Sequence, residues 1–277
     1  MKMSVCVIGL GEIGLPMATY ITKQGFETWG YDLSDSQVDR AKENKIKSTT
    51  DWQQIPHRTI VAYVICVTTS LDNLSKPNVS AVFEVCEKIA KTGSNSLVSI
   101  ESTLALGTCR NIYKNIFHES CILVHVPHRY WKEDPVTRGV NQLRIIGGVD
   151  GASLDKGKSF YKGLSIPLHP VSSIEIAEMS KIVENSHRFL QIAFAEELKM
   201  VCDEKGINMN ELREAVNTKW NVDIPEPRTG IGGHCLPKDI RYLLDISENQ
   251  VIPKSAIEVD FQYRKHLVQR PELPKLG

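Results

Sequence analysis

The chain has 277 residues, enough for one large or two ordinary domains, and 42% of them are hydrophobic, which supports a packed core. Its 33 lysines and arginines balance 33 aspartates and glutamates, so the chain has no basic field of the kind that holds nucleic acid or an anionic membrane surface. It also contains no run of about 18 apolar residues that would predict a membrane span.

The cysteines and the N-terminus both favour a reducing cytoplasm. The seven cysteines are odd in number, scattered, and form no Cys-x-x-Cys pair, which argues against a disulfide framework and against a zinc site. The N-terminal apolar run is short and contains three glycines, unlike a signal peptide. We expect no bound metal. The cysteines are Cys6, Cys66, Cys86, Cys109, Cys121, Cys202 and Cys235.

The first predicted unit is a strand, a turn and a helix. Residues 4–14 form a short apolar strand that runs into Gly9-x-Gly11-x-x-Gly14, and helical spacing follows. In the dinucleotide fingerprint the first glycine allows the tight turn, the second lets the pyrophosphate approach, and the third lets the helix pack on the strand. Glu12 and Ile13, between these glycines, are also predicted to contact the cofactor.

A second predicted strand identifies the cofactor. It covers residues 27–31 and ends at Asp32, 21 residues after Gly11. This is close to the position of the acid that binds the adenosine ribose hydroxyls, and a carboxylate there repels a 2′-phosphate. The sequence therefore predicts NAD rather than NADP.

Strands and helices continue to alternate. Strands are predicted at 59–67, 96–100, 121–125 and 143–146, with helices at 79–90 and 107–117. This pattern predicts an α/β fold with a doubly wound parallel Rossmann sheet, which binds ligands at the carboxyl ends of its strands. Three polar stretches follow strands, at 67–70, 101–103 and 126–129, and each can equally be ordinary loop chemistry. The candidate site residues within them are Thr68, Thr103 and His128.

After about residue 170 the chain is predicted to be entirely helical. Residues 173–205 have helical apolar spacing and no glycine or proline, which gives a helix of roughly 50 Å at about 1.5 Å per residue. That length predicts a helix that crosses between domains or pairs with a second subunit, and we expect a homodimer. We predict an NAD-binding domain at 1–170 and a helical domain at 171–277. Shorter helices are predicted at 208–218, from the Cys235 loop to about 247, and at 255–269, with a frayed, Pro-rich end at 270–277.

Two groups of residues in the helical part can carry chemistry. Pro237 suits the first turn of a helix, so Cys235, after a glycine-rich approach, is predicted near a helix N-terminus, whose partial positive charge favours a thiolate. Lys181 and Asn185 are spaced i, i+4 and share a helix face. A buried lysine there could stabilise an oxyanion. A buried inert cysteine and a surface lysine are the simpler interpretations of the same residues.

Five motifs together identify a family. In chain order they cover residues 9–16, 101–108, 177–185, 192–197 and 232–239. They resemble the UDP-glucose/GDP-mannose dehydrogenase family, closest to its UDP-N-acetyl-mannosamine dehydrogenase branch, from residue 1 to about 245. The resemblance implies oxidation of the C6 alcohol of a nucleotide sugar to a carboxylate with two NAD⁺, for polysaccharide biosynthesis.

The resemblance also implies roles for the candidate residues. Cys235 would trap the aldehyde as a thiohemiacetal, which makes the second oxidation a hydride loss to a thioester. Lys181 and Asn185 would stabilise the oxyanion, and Asp239 and Thr103 would hold the hydrolytic water and assist proton transfer.

Two departures from the family pattern are evident. His128 stands where the family carries a glutamate proposed as the base for thioester hydrolysis; it could replace that base, because an ordinary histidine pKa lies near 6.5, or hydrolysis could be slow. Family members also continue into a second Rossmann-like domain that grips the substrate nucleotide. This chain is expected to lack that domain, either as a piece of a longer protein or as a natural short form.

Two other functions fit parts of the sequence. A β-hydroxyacid dehydrogenase shares the glycine turn and a helical Lys-x-x-x-Asn, transfers one hydride and needs no cysteine. A non-catalytic NAD-binding protein, used for assembly or regulation, would need only the turn.

Overall fold

The computed structural model describes residues 4–269, so the predicted frayed end at 270–277 lies outside the described residues. The chain divides into two compact units, one of residues 1–72 with 77–181 and one of residues 73–76 with 182–277. The division falls within the long helix, eleven residues after the domain boundary that the sequence predicts. The domain ranges 1–170 and 171–277 stay a prediction.

The first unit is built on an eight-stranded sheet with helices between its strands. Strands β5 and β6 form a separate two-stranded antiparallel sheet. The strands are β1 Ser4–Ile8, β2 Glu27–Tyr31, β3 Lys47–Thr49, β4 Ile60–Ile65, β5 Ser70–Leu71, β6 Pro77–Asn78, β7 Leu97–Ile100, β8 Ile122–His125, β9 Arg144–Gly148 and β10 Leu168–Pro170. The helices are α1 Gly14–Lys23, α2 Asp35–Glu43, α3 Ser80–Ala90, α4 Thr108–Asn115 and α5 Gly151–Gly163.

The sheet has the strand order β10-β9-β8-β7-β4-β1-β2-β3, which confirms the predicted doubly wound Rossmann architecture. One pair departs from the parallel arrangement: β9 runs antiparallel to β8. No helix forms between these strands, in residues 126–143. The chain therefore returns into the sheet at the edge where β8 ends, and Arg144, the first residue of β9, lies at the carboxyl edge of β7 and β8.

Both faces of the sheet are buried, as the near-continuous apolar strands predict. In β1, Val5 and Val7 pack into the core on one face, and Cys6 and Ile8 pack into the core on the other. Cys6 is thus a packing residue of the core.

The sequence did not identify α2 and α5. Only Val38 and Ala41 of α2 are buried, so its apolar stripe is too thin to detect. Helix α5 was not predicted because it contains Gly157, and glycine disfavours a helix. A Cβ at that position would lie 2.7 Å from Val124 Cγ1, so the glycine is there because the helix approaches β8 closely.

The second unit is helical. Its helices are the long α6 Ile174–Lys205, whose first turns belong to the first unit, then α7 Met209–Asn217, α8 Cys235–Ile246 and α9 Val251–Gln269. A small core joins α6, the loop before α8, α8 and α9 through Phe189, Ala193, Ile231, Ile240 and Ala256. No helix of residues 4–269 is both long enough and apolar enough to cross a membrane.

Candidate active site

The glycine turn after β1 has the geometry of a dinucleotide-binding loop. Gly9 has φ +85°, and a Cβ there would lie 2.7 Å from the Cys66 carbonyl oxygen; a Cβ on Gly14 would lie 1.7 Å from the Gly9 oxygen. These two glycines are therefore required by the turn itself. At Gly11 a Cβ would meet nothing within 4 Å, so the backbone there stays open to a ligand.

The N-terminus of α1 is also open. Its N-cap residue, Ile13, makes no side-chain capping hydrogen bond, and the Leu15 N–H donates to the Gly11 carbonyl at 3.2 Å. The first N–H groups of such a helix are the groups that bind phosphate in this kind of fold. The neighbouring Glu12 is exposed and its Oε1 accepts from Lys132 Nζ at 2.7 Å.

The Asp32 carboxylate is held beside this turn. Its Oδ2 accepts from the Leu10 N–H at 2.6 Å and its Oδ1 accepts from the Ser34 N–H at 2.9 Å. An open glycine backbone, an uncapped helix N-terminus and an acid at the end of β2 fit the pyrophosphate and ribose of a dinucleotide with a free 2′-hydroxyl.

Thr68 and Thr103 follow β4 and β7, which are adjacent parallel strands, so both residues lie at the carboxyl edge of the sheet. Thr68 is exposed and Thr103 is half-buried. The two loops are joined by the Ser102 hydroxyl, which donates to the Val67 carbonyl at 2.7 Å. Side chains from both loops are thus available at the edge where β1 ends.

A buried ionic cluster at the same edge has Glu101 at its centre. Glu101 is only 2% exposed, and its Oε2 lies 2.9 Å from Arg144 Nη1 and 2.8 Å from His128 Nε2. The Tyr161 hydroxyl donates a hydrogen bond to Glu101 Oε1 at 2.5 Å. Glu101, Arg144 and Tyr161 are not among the site residues predicted from the sequence. A glutamate directly after a buried apolar strand was the available signal, because a buried charge needs a partner.

The cluster sets the protonation of its members. Burial by itself would raise the pKa of Glu101, but Arg144 and His128 outweigh it and lower that pKa to about 2. The pKa of His128 is lowered to about 4. Burial lowers it most, the positive charge of Arg144 lowers it further, and the Glu101 carboxylate opposes this by raising it. At neutral pH the carboxylate is therefore ionised and the imidazole is neutral.

Both ring nitrogens of His128 have internal partners. Nε2 faces the Glu101 carboxylate and so carries the ring proton, and Nδ1 accepts from the Tyr130 N–H at 3.4 Å. The ordinary pKa expected for His128 from the sequence is wrong, because the side chain is buried. A catalytic role for His128 stays a prediction, and it would have to run through Nδ1.

In the second unit Cys235 is the first residue of α8, as the sequence predicts. Of the seven cysteines it is the exposed one; the others are buried or half-buried. The interpretation of Cys235 as a buried packing residue is therefore wrong. A thiol at this place is open to a reactant.

Close to Cys235 in sequence, α8 carries a buried polar cluster. Asp239 is fully buried, with Oδ1 2.7 Å from Lys238 Nζ. Its Oδ2 accepts from Asn185 Nδ2 at 2.5 Å. The structure thus joins the predicted residues Asn185 and Asp239, and it adds Lys238 to them.

Lys181 lies on α6, one helical turn before Asn185. It is half-buried, and its positive charge is one of the groups that lower the pKa of His128. The role of Lys181 in catalysis stays a prediction.

Comparison with known proteins identifies the family. Residues 41–165 match the NAD binding domain of the UDP-glucose/GDP-mannose dehydrogenase family, and residues 175–260 match its central domain. A UDP-N-acetyl-D-mannosamine dehydrogenase of Campylobacter jejuni is 30% identical, over 96% of this chain and 73% of its own length. The chain belongs to the UDP-glucose/GDP-mannose dehydrogenase family.

Other members of the family give the same result. A UDP-N-acetyl-D-mannosamine dehydrogenase of Methanocaldococcus jannaschii is 32% identical, over 92% of this chain and 65% of its own length. The solved structure of a UDP-D-ManNAc dehydrogenase from Pyrococcus horikoshii superposes with a TM-score of 0.87 at 27% identity, covering 96% of this chain and 70% of that one. The chain thus spans about two thirds of the length of these relatives.

Family membership confirms two predictions. The resemblance inferred from five short motifs is correct, and the match of the first unit to the family's NAD binding domain confirms NAD as the cofactor. The individual roles of the candidate residues stay predictions.

Proposed function

We propose that this protein oxidises the C6 alcohol of a nucleotide sugar to a carboxylate in two steps, with Cys235 as the nucleophile. The observation that carries the proposal is the position of Cys235, exposed at the first turn of α8. A residue in the first turn of a helix lies beside the unpaired backbone N–H groups of that turn, and a cysteine sulfur is intrinsically a strong nucleophile. The substrate class is suggested by the printed names of the relatives, which are UDP-N-acetyl-D-mannosamine dehydrogenases.

The proposed cofactor-binding groups are the open turn at Gly11, the N-terminus of α1 and the Asp32 carboxylate. When bound, NAD⁺ supplies the acceptor for the hydride that leaves C6 in each of the two oxidations. Thr68 and Thr103, at the same edge of the sheet, are the hydroxyl side chains proposed to contact it.

Cys235 acts between the two oxidations. Its sulfur adds to the aldehyde carbon, forming a C–S bond while the carbonyl oxygen takes up the negative charge. We assign stabilisation of this oxyanion to the Lys181 ammonium and the Asn185 amide. Asp239 orients the amide through its hydrogen bond with Asn185 Nδ2.

Water completes the reaction. After the second oxidation the substrate is a thioester on Cys235, and water attacks its carbonyl carbon, which breaks the C–S bond and releases the thiolate. We assign the placement of this water to Thr103 and Asp239. His128 is the proposed base through Nδ1, and its lowered pKa makes it a weak one, so hydrolysis is expected to be the slow step.

A stoichiometric assay tests this function. The purified protein is incubated with NAD⁺ and a panel of UDP- and GDP-sugars, and NADH is counted against the carboxylate formed. Two NADH per carboxylate are expected. One NADH per product would support a single hydride transfer of the β-hydroxyacid type, and NAD⁺ binding without turnover of any sugar would support a non-catalytic role.

We also propose that the protein is a homodimer that pairs through α6. Val183, Phe194 and Val201 are 46%, 53% and 47% exposed, and their spacings of eleven and seven residues return to one face of the helix. Such an exposed apolar stripe is typical of a surface that a partner covers.

Phe194→Glu is expected to convert the dimer to a monomer, because it places a charge in the middle of the apolar stripe. The mass in solution is measured by light scattering. Val251→Glu, at an exposed apolar residue of α9, is the control and should leave the dimer intact. A monomeric mass for the unchanged protein at working concentration would contradict the proposal.

The cytoplasmic location and the role in polysaccharide biosynthesis stay predictions of the sequence.

A further inference from the structure

Glu196, in the second half of α6, is a buried acid without a partner. Its side chain is fully buried, and neither carboxylate oxygen has a hydrogen-bond partner among residues 4–269. The next residue, Glu197, is exposed to solvent. An isolated carboxylate in such a place is strongly disfavoured, so the group is stable there only when it is protonated.

The charged groups that act on Glu196 come from α9. The pKa of Glu196 is raised to about 7: burial contributes most to the rise, Asp260 adds to it, and Arg264 opposes it. Tyr263 of the same helix has a pKa raised to about 12, by burial and then by Glu196 and Asp203. The charged pair at the start of α8, Lys238 with Asp239, is internally matched.

The same two residues of α9 hold the loop that leads to Cys235 at the start of α8. The Ile231 N–H donates to Asp260 Oδ1 at 2.7 Å, and Arg264 Nη2 donates to the Ile231 carbonyl at 2.8 Å. Arg264 Nε also bonds to Asp260 Oδ2 at 3.0 Å. Ile231 lies four residues before Cys235 and packs into the core of the unit. The Asp260–Arg264 pair is therefore the clamp on this loop.

The charge of Glu196 interacts with both members of this clamp, Asp260 and Arg264. When the Glu196 carboxyl is neutral, it does not compete for the Arg264 guanidinium, which keeps its hydrogen bonds to Asp260 and to the Ile231 carbonyl. An ionised carboxylate in the same buried place attracts Arg264 and repels Asp260, and both effects weaken the two hydrogen bonds on Ile231.

We propose that Glu196 is a positioning residue for the Cys235 loop: protonated, it leaves the Asp260–Arg264 clamp closed on Ile231, and ionised, it releases the clamp. The link to catalysis rests on the proposed function, because it takes Cys235 as the nucleophile. The clamp itself does not depend on that function.

The direction of the pH dependence follows from linkage. With the clamp closed, the pKa of Glu196 is about 7, and with the clamp open and the carboxyl hydrated it returns toward the ordinary range of a glutamate. Between these two values the open form binds fewer protons, so opening becomes up to about tenfold easier per pH unit. Above pH 7 both forms are ionised and the effect levels off.

Amide hydrogen exchange of Ile231 measures opening of the clamp directly. After correction for the intrinsic exchange rate, protection of the segment 228–236 is expected to fall by about tenfold or more from pH 5 to pH 7 and then to level off. Glu196→Gln, which keeps the shape and cannot ionise, should make protection independent of pH. Glu197→Gln, one residue along the same helix, should behave like the unchanged protein.

These outcomes decide the proposal. His266 of α9 pairs with Asp203 at 2.8 Å and is a rival source of pH dependence; a fall in protection that persists in Glu196→Gln would assign the effect elsewhere and overturn the proposal. Should Glu196→Gln not fold, Glu196→Leu provides a second uncharged variant. Protection that is flat from pH 5 to pH 8 in the unchanged protein would overturn the proposal without any variant.

The exchange experiment needs neither sugar nor NAD⁺. Its result therefore stays readable if the protein proves to have no dehydrogenase activity, and failure of the clamp would leave the proposed oxidation intact.

Discussion

Replacing Cys235 with serine is expected to abolish carboxylate formation, lowering its rate by at least about 10³-fold. A serine hydroxyl at neutral pH is a far weaker nucleophile than a cysteine thiolate, and no thioester can form without the sulfur. Oxidation to the aldehyde does not need the sulfur, so trace aldehyde with one NADH per molecule is the expected residual product. Product analysis with NADH counting measures both.

A matched variant separates loss of the nucleophile from a general effect of removing a thiol. Cys121→Ser changes a half-buried cysteine of the first unit and should keep full turnover. Full activity of Cys235→Ser would contradict the proposed mechanism and would favour a single hydride transfer of the β-hydroxyacid type.

Replacing Arg144 with methionine is expected to destabilise the protein by about 3–5 kcal/mol, because removal of one partner leaves the buried Glu101 carboxylate uncompensated. Arg144 is fully buried and also donates to the Val140 carbonyl at 2.7 Å. The free energy of unfolding is measured by urea titration at pH 7.

Two controls accompany this measurement. Arg110→Met removes a partly exposed pair with Glu175, which is worth no more than about 1 kcal/mol. Adding Glu101→Gln to Arg144→Met should recover part of the loss, since it removes the uncompensated charge. A loss below about 1 kcal/mol for Arg144→Met would show that the cluster is not a buried charge pair.

The same cluster predicts sensitivity to acid. The lowered pKa of His128, about 4, means that the folded protein binds fewer protons than the unfolded chain below the ordinary histidine range. Its contribution to stability is therefore complete above about pH 6.5 and is lost as the pH falls toward 4. The Glu101 contribution is lost only at lower pH, because its pKa is about 2.

Most of the fold could be predicted because its signals are local. The glycine turn at residues 9–14 can be identified from six consecutive residues alone. The long helix was predicted at 173–205 and forms at Ile174–Lys205, because good helix formers run unbroken to Gly206. Helix α9 begins four residues earlier than predicted, since Pro253 is tolerated in a first turn.

The candidate site was predicted less completely. Its chemistry-bearing residues could be named because cysteine, lysine and asparagine stood in recognisable motifs. The partners of those residues could not: Glu101 and Arg144 are 43 positions apart, and they meet only because β9 enters the sheet antiparallel to β8. No spacing rule in the sequence connects them.

Burial caused the remaining errors. An ordinary pKa was expected for His128, as for a hydrated imidazole. Glu196 was named only within the motif at residues 192–197, and its burial was not predicted. Both side chains are covered by segments distant in the chain, and the loss of water changes which protonation state is stable.

The amino-acid sequence by itself determined the family, the cofactor and the helix that starts at Cys235, because each is written in short runs whose backbone preferences and glycine positions act locally. Only the tertiary structure decided which charges are buried and which groups face them at Glu101, Asp239 and Glu196. Electrostatic free energy depends on the distance between groups and on their exposure to water, and both are set by how remote parts of the chain pack.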